Sequence, residues 1–191
     1  MSAHGRPHTP DDLDAVVRAA ERLFEQAKVA VRARVAASSI DAEQAAAHGL
    51  AWLATTIEAM RQLSGWARRL SGDGRLGELE ALIAVAGIAE YAQQVAGGIP
   101  MSQAETVRIA ALGVPRSAIR AFEDAASGLI EAGTSQATQS KIAAQIALQP
   151  GATTFGDTGL DETLSQMREQ MKRFGDTEVK PHAHQWHLEN A

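Results

Sequence analysis

The chain has 191 residues, a formal net charge of −5 at pH 7 and no cysteine, which excludes disulfides, thiolate nucleophiles and cysteine-ligated zinc. Its positive charges are scattered along an acidic chain, which argues against non-specific nucleic-acid binding. Apolar residues make up 45% of the chain but aromatic residues only 4%, a composition that favours closely packed helices over sheets.

The longest apolar run, from Ala81 to Ala89, is much shorter than a membrane-spanning helix. The first residues lack the apolar segment of a secretory signal peptide. We therefore expect a cytoplasmic protein that does not associate with membranes.

Residues 1–8 are predicted to be a disordered terminus, directly followed by a helix. Thr9 can cap that helix, Pro10 suits its first position, and Asp11 and Asp12 favour the positive end of the helix dipole. Apolar residues then recur every three or four positions, which predicts one long helix with a buried stripe. The stripe consists of Leu13, Val16, Val17, Ala20, Phe24, Ala27, Val31 and Val35.

Two more long helices are predicted next. The second begins near Asp41, whose carboxylate can cap it while Gln44 reaches back. The third runs from about Glu78 to Ala96, and it is predicted to be central because it is apolar on most sides. Gly97 or Gly98 is expected to end it in the left-handed cap conformation.

Shorter helices follow in residues 100–148. The letters SQAE at residues 102–105 match a capping box, which predicts a short helix ending at Gly113. Pro115 lies near the first turn of another helix, and a further helix is expected from Gln136 to Leu148. No stretch alternates with period two, so we predict no strands. The predicted fold class is all-α, with a bundle of about six helices forming a domain over residues 9–148.

The rest of the chain differs in character. Residues 149–159 are rich in Gly, Pro, Thr and Asp, and are predicted to be a linker. Residues 160–191 begin with an amphipathic helix, but too little chain follows to cover its apolar face. That face, which we expect to be exposed, consists of Leu160, Leu164, Met167, Met171 and Phe174.

Three histidines near the end are the first candidates for chemistry. A helical turn after Pro181 would place His184 and His187 on one face, with His182 pointing elsewhere. A zinc site needs three or four converging ligands, and no second segment evidently supplies them. We interpret these residues as surface or packing histidines.

Other candidate groups also favour structural roles. The letters GDGRLG at residues 72–77 match the dinucleotide fingerprint G-x-G-x-x-G, but a helix rather than a strand precedes them. Glu90 and His48 could each act as a general base, although a helix boundary or a helix–helix hydrogen bond is the better reading. The carboxylates of Asp11, Asp12 and Asp14 suit a helix start better than a metal site. We assign no catalytic, cofactor-binding or metal-ligating residue.

A family resemblance enters at the end of the chain. The stretch MREQMKRFGDTEVKPHAHQWHLENA resembles the opening of the acyl-CoA dehydrogenase catalytic body, in the pattern Phe174, Val179, Pro181, Ala183 and Trp186. Residues 45–70 and 90–114 resemble the amino-terminal helical extension found in one branch of that family, the (2S)-methylsuccinyl-CoA dehydrogenases. Residues 160–191 are accordingly expected to be the incomplete start of the dehydrogenase α-domain.

The resemblance implies an FAD-dependent enzyme that oxidises methylsuccinyl-CoA to mesaconyl-CoA in the ethylmalonyl-CoA pathway. Family members remove an α-proton with a glutamate, pass a hydride to the flavin and deliver electrons to an electron-transfer flavoprotein. The parts that do this are expected to lie beyond Ala191, so we expect this chain alone to bind no FAD and to be inactive.

Two hypotheses remain open. The chain is either the amino-terminal part of such an enzyme or a non-catalytic helical module that binds a partner or forms a homo-oligomer through its exposed apolar face. Within the first hypothesis, the extension could cover the acyl-CoA entrance, stabilise a dimer or improve solubility. We expect it to pack on the dehydrogenase body.

Overall fold

A computed structural model describes residues 8–152 and 154–190. The disordered terminus predicted for residues 1–8 lies outside the described residues, apart from His8. The all-α fold class is confirmed, since the described residues form seven α-helices and only one very short antiparallel hairpin. Contacts divide the chain into two compact units, and the second begins at Thr158.

The first unit contains five of the α-helices, one hairpin and one short 3-10 helix. Helix α1 spans Pro10–Ala37, α2 spans Gln44–Gly72 and α3 spans Glu78–Gly97. Strands β1, Ile99–Pro100, and β2, Thr106–Val107, precede the 3-10 helix Ile109–Leu112. Helices α4, Arg116–Gly133, and α5, Gln136–Ala147, complete the unit.

The start of α1 is as predicted. Thr9 is the N-cap, and its Oγ1 accepts a hydrogen bond from the Asp12 N–H at 3.3 Å. The Asp12 carboxylate accepts one from the Thr9 N–H at 2.7 Å, which completes a capping box. Most of the predicted stripe is buried, while Phe24 and Val35 are half-buried.

Helix α3 is central, as its apolar surface predicted. It packs against α1, α2, α4 and α5, and Ile88, Ala92 and Val95 are fully buried. Helix α4 approaches it closely at Gly133, where a Cβ atom would lie 2.7 Å from the carbonyl oxygen of Val85. The small residues on α3 and α4 therefore allow the two backbones to approach each other.

Polar contacts join α1 to α2. The hydroxyl of Ser64, which is 2% exposed, donates to the Asp14 carboxylate. Arg61 donates to Glu21 at 3.0 Å and also to Glu58 in its own helix. The hydrogen bond to Glu21, with help from the charge of Glu58, raises the pKa of Arg61.

The predicted start of α2 is wrong. The helix begins at Gln44, its N-cap is Glu43, and no side chain caps it. Residues before it form a turn in which the Ser39 carbonyl accepts from the Glu43 N–H at 3.2 Å, and the Ser39 hydroxyl accepts from the Ala42 N–H at 3.1 Å. The Ser39 hydroxyl thus stabilises the turn before α2, and the helix itself starts without the side-chain cap that we predicted for Asp41.

The predicted capping box at SQAE and the predicted absence of strands are also wrong, although a short 3-10 helix does end before Gly113, which has the left-handed conformation. The Glu105 carbonyl accepts from the Met101 N–H at 2.9 Å and closes a hairpin loop in which β1 pairs antiparallel with β2. Buried Ile99 and Val107 anchor this hairpin in the core, although each strand is too short to show period-two alternation. Gly98 has a φ of +128° but an extended ψ of 134°, so it leads into β1 rather than forming the predicted left-handed cap.

The second unit contains α6, Glu162–Phe174, a π-helical turn, Gly175–Val179, and α7, Ala183–Glu189. Among its described residues, none is buried. No helix in the described part of the chain has the length and apolar content required to cross a membrane.

Candidate functional site

Helix α6 is well specified by its own sequence. Asp161 is the N-cap, and its carboxylate accepts from the Leu164 N–H at 2.8 Å. Glu162 occupies the first turn, while Lys172 and Arg173 occupy the last, so the charges at both ends complement the helix dipole. The helix therefore has a local reason to form even though none of its residues is buried.

One face of α6 presents an apolar row to solvent. This α6 stripe consists of Leu164, Met167, Met171 and Phe174, which are 46%, 59%, 68% and 54% exposed. Their spacing of three or four residues places them on the same side of the helix. Burying the rest of each side chain would contribute roughly 1 kcal/mol, which is about half the value for complete burial. The exposure expected from the sequence is observed for these four residues, whereas Leu160, predicted to share their face, precedes α6 and is half-buried.

Further exposed apolar side chains follow in the same unit, at Val179, Trp186 and Leu188. A row of this kind is typical of a surface that another protein segment covers. The α6 stripe is therefore the candidate functional site, because its exposed apolar side chains suit contact with another protein segment.

The three terminal histidines have no common ligand geometry. His182 precedes α7 and stacks on Trp186, with ring centroids 5.5 Å apart. His184 and His187 lie within α7, and both are exposed. Among the described residues, no group of three or more His, Asp or Glu side chains is placed to hold a metal ion.

The GDGRLG letters lie in the loop between α2 and α3, so a helix precedes them. Gly74 has a φ of +67°, and the Arg75 N–H returns to the Leu70 carbonyl at 2.7 Å. A dinucleotide site needs the pyrophosphate between a strand end and a helix start, and this loop lacks that strand. The loop therefore does not fit the pyrophosphate of a dinucleotide cofactor.

Both candidate bases lie on exposed helix surfaces. Glu90 is exposed on α3. His48 is exposed on α2, and its Nε2 accepts a hydrogen bond from the Trp52 indole N–H at 3.1 Å. In the described residues, every buried side-chain nitrogen or oxygen has a hydrogen-bond partner, so no orphaned polar group points to a ligand there.

The three early aspartates have separate structural roles. Asp12 completes the capping box with Thr9. Asp11 accepts from Arg68 of α2 at 3.0 Å, and Asp14 also pairs with that guanidinium. These contacts tie the start of α1 to α2 and agree with the structural reading of the sequence.

The sequence of the chain was compared with those of known proteins and protein families. No protein-family model matches the chain. The chain is 43% identical, over 178 residues, to a protein of Cereibacter sphaeroides named (2S)-methylsuccinyl-CoA dehydrogenase. The resemblance seen in the sequence is confirmed.

The match includes both units of the fold. It covers 88% of the 191 residues, which is more than the 157 residues up to the end of the first unit. The helical bundle and part of the second unit therefore have counterparts in one relative. The chain spans 31% of the length of that relative.

Proposed function

We propose that this chain is the amino-terminal part of an FAD-dependent acyl-CoA dehydrogenase that oxidises (2S)-methylsuccinyl-CoA to mesaconyl-CoA. The observation that supports this most is the 43% identity to a protein of that name, because it extends across both units. In the proposal, the enzyme is cytoplasmic and passes its electrons to an electron-transfer flavoprotein.

The chain supplies helical scaffold to this enzyme, and the chemistry lies in the remainder of the protein. By the resemblance to the acyl-CoA dehydrogenase family, we place the FAD site outside this chain. The acyl-CoA pocket and the glutamate that removes the α-proton are assigned to the same remainder. The chain alone is then expected to bind no flavin and to have no dehydrogenase activity.

The α6 stripe is the surface through which the second unit joins that remainder. Its apolar side chains are exposed here, and covering all four would contribute roughly 4 kcal/mol of favourable burial before the cost of association. The relative contains a further 69% of sequence that could provide the covering helices.

Complementation in trans tests this proposal. The Cereibacter sphaeroides relative would be produced without the 31% of its length that matches, and this chain would then be supplied separately. We expect co-purification of the two pieces and restored oxidation of (2S)-methylsuccinyl-CoA with an artificial electron acceptor. Failure of a folded remainder to bind the chain or to recover activity would contradict the proposal.

Two lysine substitutions in α6 provide a matched pair. Met167→Lys places a charge in the stripe and should weaken association at least tenfold, because an ammonium group would have to be desolvated at the interface. Gln166→Lys adds the same charge at the neighbouring position outside the stripe, and should bind like the unmodified chain. Isothermal titration calorimetry with the remainder measures both.

The exposed stripe also supports a second candidate function, a non-catalytic module that self-associates. This candidate predicts a homo-oligomer of defined size from the chain alone, and Met167→Lys would dissociate it. Sedimentation velocity of the isolated chain separates the candidates, since the enzyme proposal requires the remainder for a stable assembly.

A further inference from the structure

Asp157, at the end of the first unit, is hydrogen-bonded to residues at the corner between α2 and α3. Its carboxylate accepts two from the Arg75 guanidinium, at 2.8 and 2.6 Å. Its carbonyl accepts one from the Trp66 indole N–H at 2.9 Å, and its N–H donates to the Glu80 carboxylate at 2.7 Å. Side chain and backbone of one residue are thus held by three different elements.

The partners of Asp157 are themselves held in place. The N–H groups of Arg75 and Leu76 both donate to the Leu70 carbonyl, at 2.7 and 3.1 Å, so the end of α2 fixes the loop that presents Arg75. Gly74 makes this turn with a φ of +67°, a conformation that glycine adopts at little cost. The role of the GDGRLG loop is therefore to position the Arg75 guanidinium for its contact with Asp157.

The segment before Asp157 lies close to the same corner. Gly156 has a φ of +77°, and a Cβ atom there would be 3.4 Å from Glu80 Oε1 and 3.7 Å from Ile83 Cδ1. The side chains of Arg75 and Asp157 are 44% and 29% exposed, so solvent reduces the energy of the ion pair. Its two-pronged geometry makes it stronger than a single-contact surface pair.

We propose that Asp157, Arg75, Trp66 and Glu80 form a latch that fastens the end of the segment after α5 onto the α2–α3 corner. The latch fixes the point at which the chain leaves the first unit. Only residues 158–160 then remain between the latched residue and Asp161, the N-cap of α6. The end of the predicted linker is therefore bonded to the first unit through Asp157, and only residues 158–160 can act as a flexible connection to α6. This inference does not depend on the proposed enzyme function.

Proteolysis after Phe155 tests the latch in the full chain. Chymotrypsin cleaves after phenylalanine, and its cleft must accept Gly156 and Asp157 in an extended form, so the latch has to open first. With Asp157→Asn or Arg75→Gln, we expect the rate of cleavage after Phe155 to rise about three- to tenfold, because the open form becomes more populated. Mass spectrometry of the fragment ending at Phe155 measures this rate.

Matched variants show whether the effect belongs to the latch. Arg69→Gln removes the same type of charge from the last turn of α2 without touching Asp157, and should leave the rate unchanged. Arg75→Lys keeps the charge but not the fork, and should give an intermediate rate. The double variant Arg75→Gln/Asp157→Asn should be cleaved no faster than the quicker single variant, because both remove the same interaction.

Hydrogen exchange of the unmodified chain gives a readout that does not depend on any variant folding. The Asp157 amide should exchange at least tenfold more slowly than that of Phe155, because only the former donates to Glu80. Equal exchange of the two amides, or equal cleavage of the Asp157→Asn and unmodified chains, would overturn the latch.

Discussion

At the scale of single residues, the approach of α3 to α4 depends on the missing side chain at Gly133. A Cβ atom at that position would overlap Ala89 and the carbonyl oxygen of Val85. Gly133→Ala should therefore lower the free energy of unfolding by about 1–3 kcal/mol, as overpacking does in other cores. Urea denaturation monitored by circular dichroism measures the change.

Gly128 in the same helix provides the control, because nothing lies within 4 Å of a Cβ atom there. Gly128→Ala should stabilise the chain by about 0.5–1 kcal/mol through helix propensity alone. Equal effects of the two substitutions would mean that α3 and α4 are not in close contact.

Contacts between distant residues are what the sequence could not reveal. Arg75 and Asp157 are 82 positions apart, and no local period links them. The glycine-rich letters around Arg75 indicated a tight inter-helix loop, which the structure has, but not the distant partner of the guanidinium. The sequence feature that could have indicated this contact is Asp157, the single aspartate in residues 149–159, a segment with few apolar residues.

At the scale of elements, the helices were predictable where a cap and a long apolar period agreed. Helix α1 has both: Thr9 is its N-cap and Asp12 lies in its first turn, as the sequence predicts. At residues 102–105, a capping-box pattern occurs without an apolar run long enough to support a helix, and the hairpin prevails because Ile99 and Val107 are both buried in the core.

The two predicted caps should differ in mutational cost. Thr9→Ala removes the side chain that caps α1 and should cost about 1 kcal/mol. Asp41→Ala should change the free energy of unfolding by less than about 0.5 kcal/mol, because the structure gives this exposed side chain no capping role. A larger loss from Asp41→Ala than from Thr9→Ala, in thermal unfolding of both variants, would contradict the assignment of the α2 start.

At the scale of the whole molecule, the hydrophobic core lies entirely in the first unit. The buried apolar residues run from Leu13 to Leu129, whereas none is found among the described residues after Asp157. The sequence indicated this division, because the apolar row after residue 160 has no complementary segment following it. The sequence predicted a linker over residues 149–159, but it does not show which residue ends the first unit, because that depends on long-range contacts such as those of Asp157.

A chain ending at Asp157 should therefore unfold cooperatively, within about 3 °C of the full chain, because the core and the latch are both kept. Differential scanning calorimetry compares the two. Loss of the cooperative transition in the shorter chain would show that the second unit contributes to the core.

The wide turn at residues 175–179 has a consequence for the hydrophobic row that precedes it. The Lys180 N–H bonds to the Gly175 carbonyl five residues earlier, so this turn holds one residue more than an α-helical turn. Regular helical spacing from Phe174 would bring acidic Glu178 into the row, whereas the extra residue brings Val179 there. A one-residue deletion between Phe174 and Val179 would restore ordinary α-helical winding and still leave a valine in line with the α6 stripe.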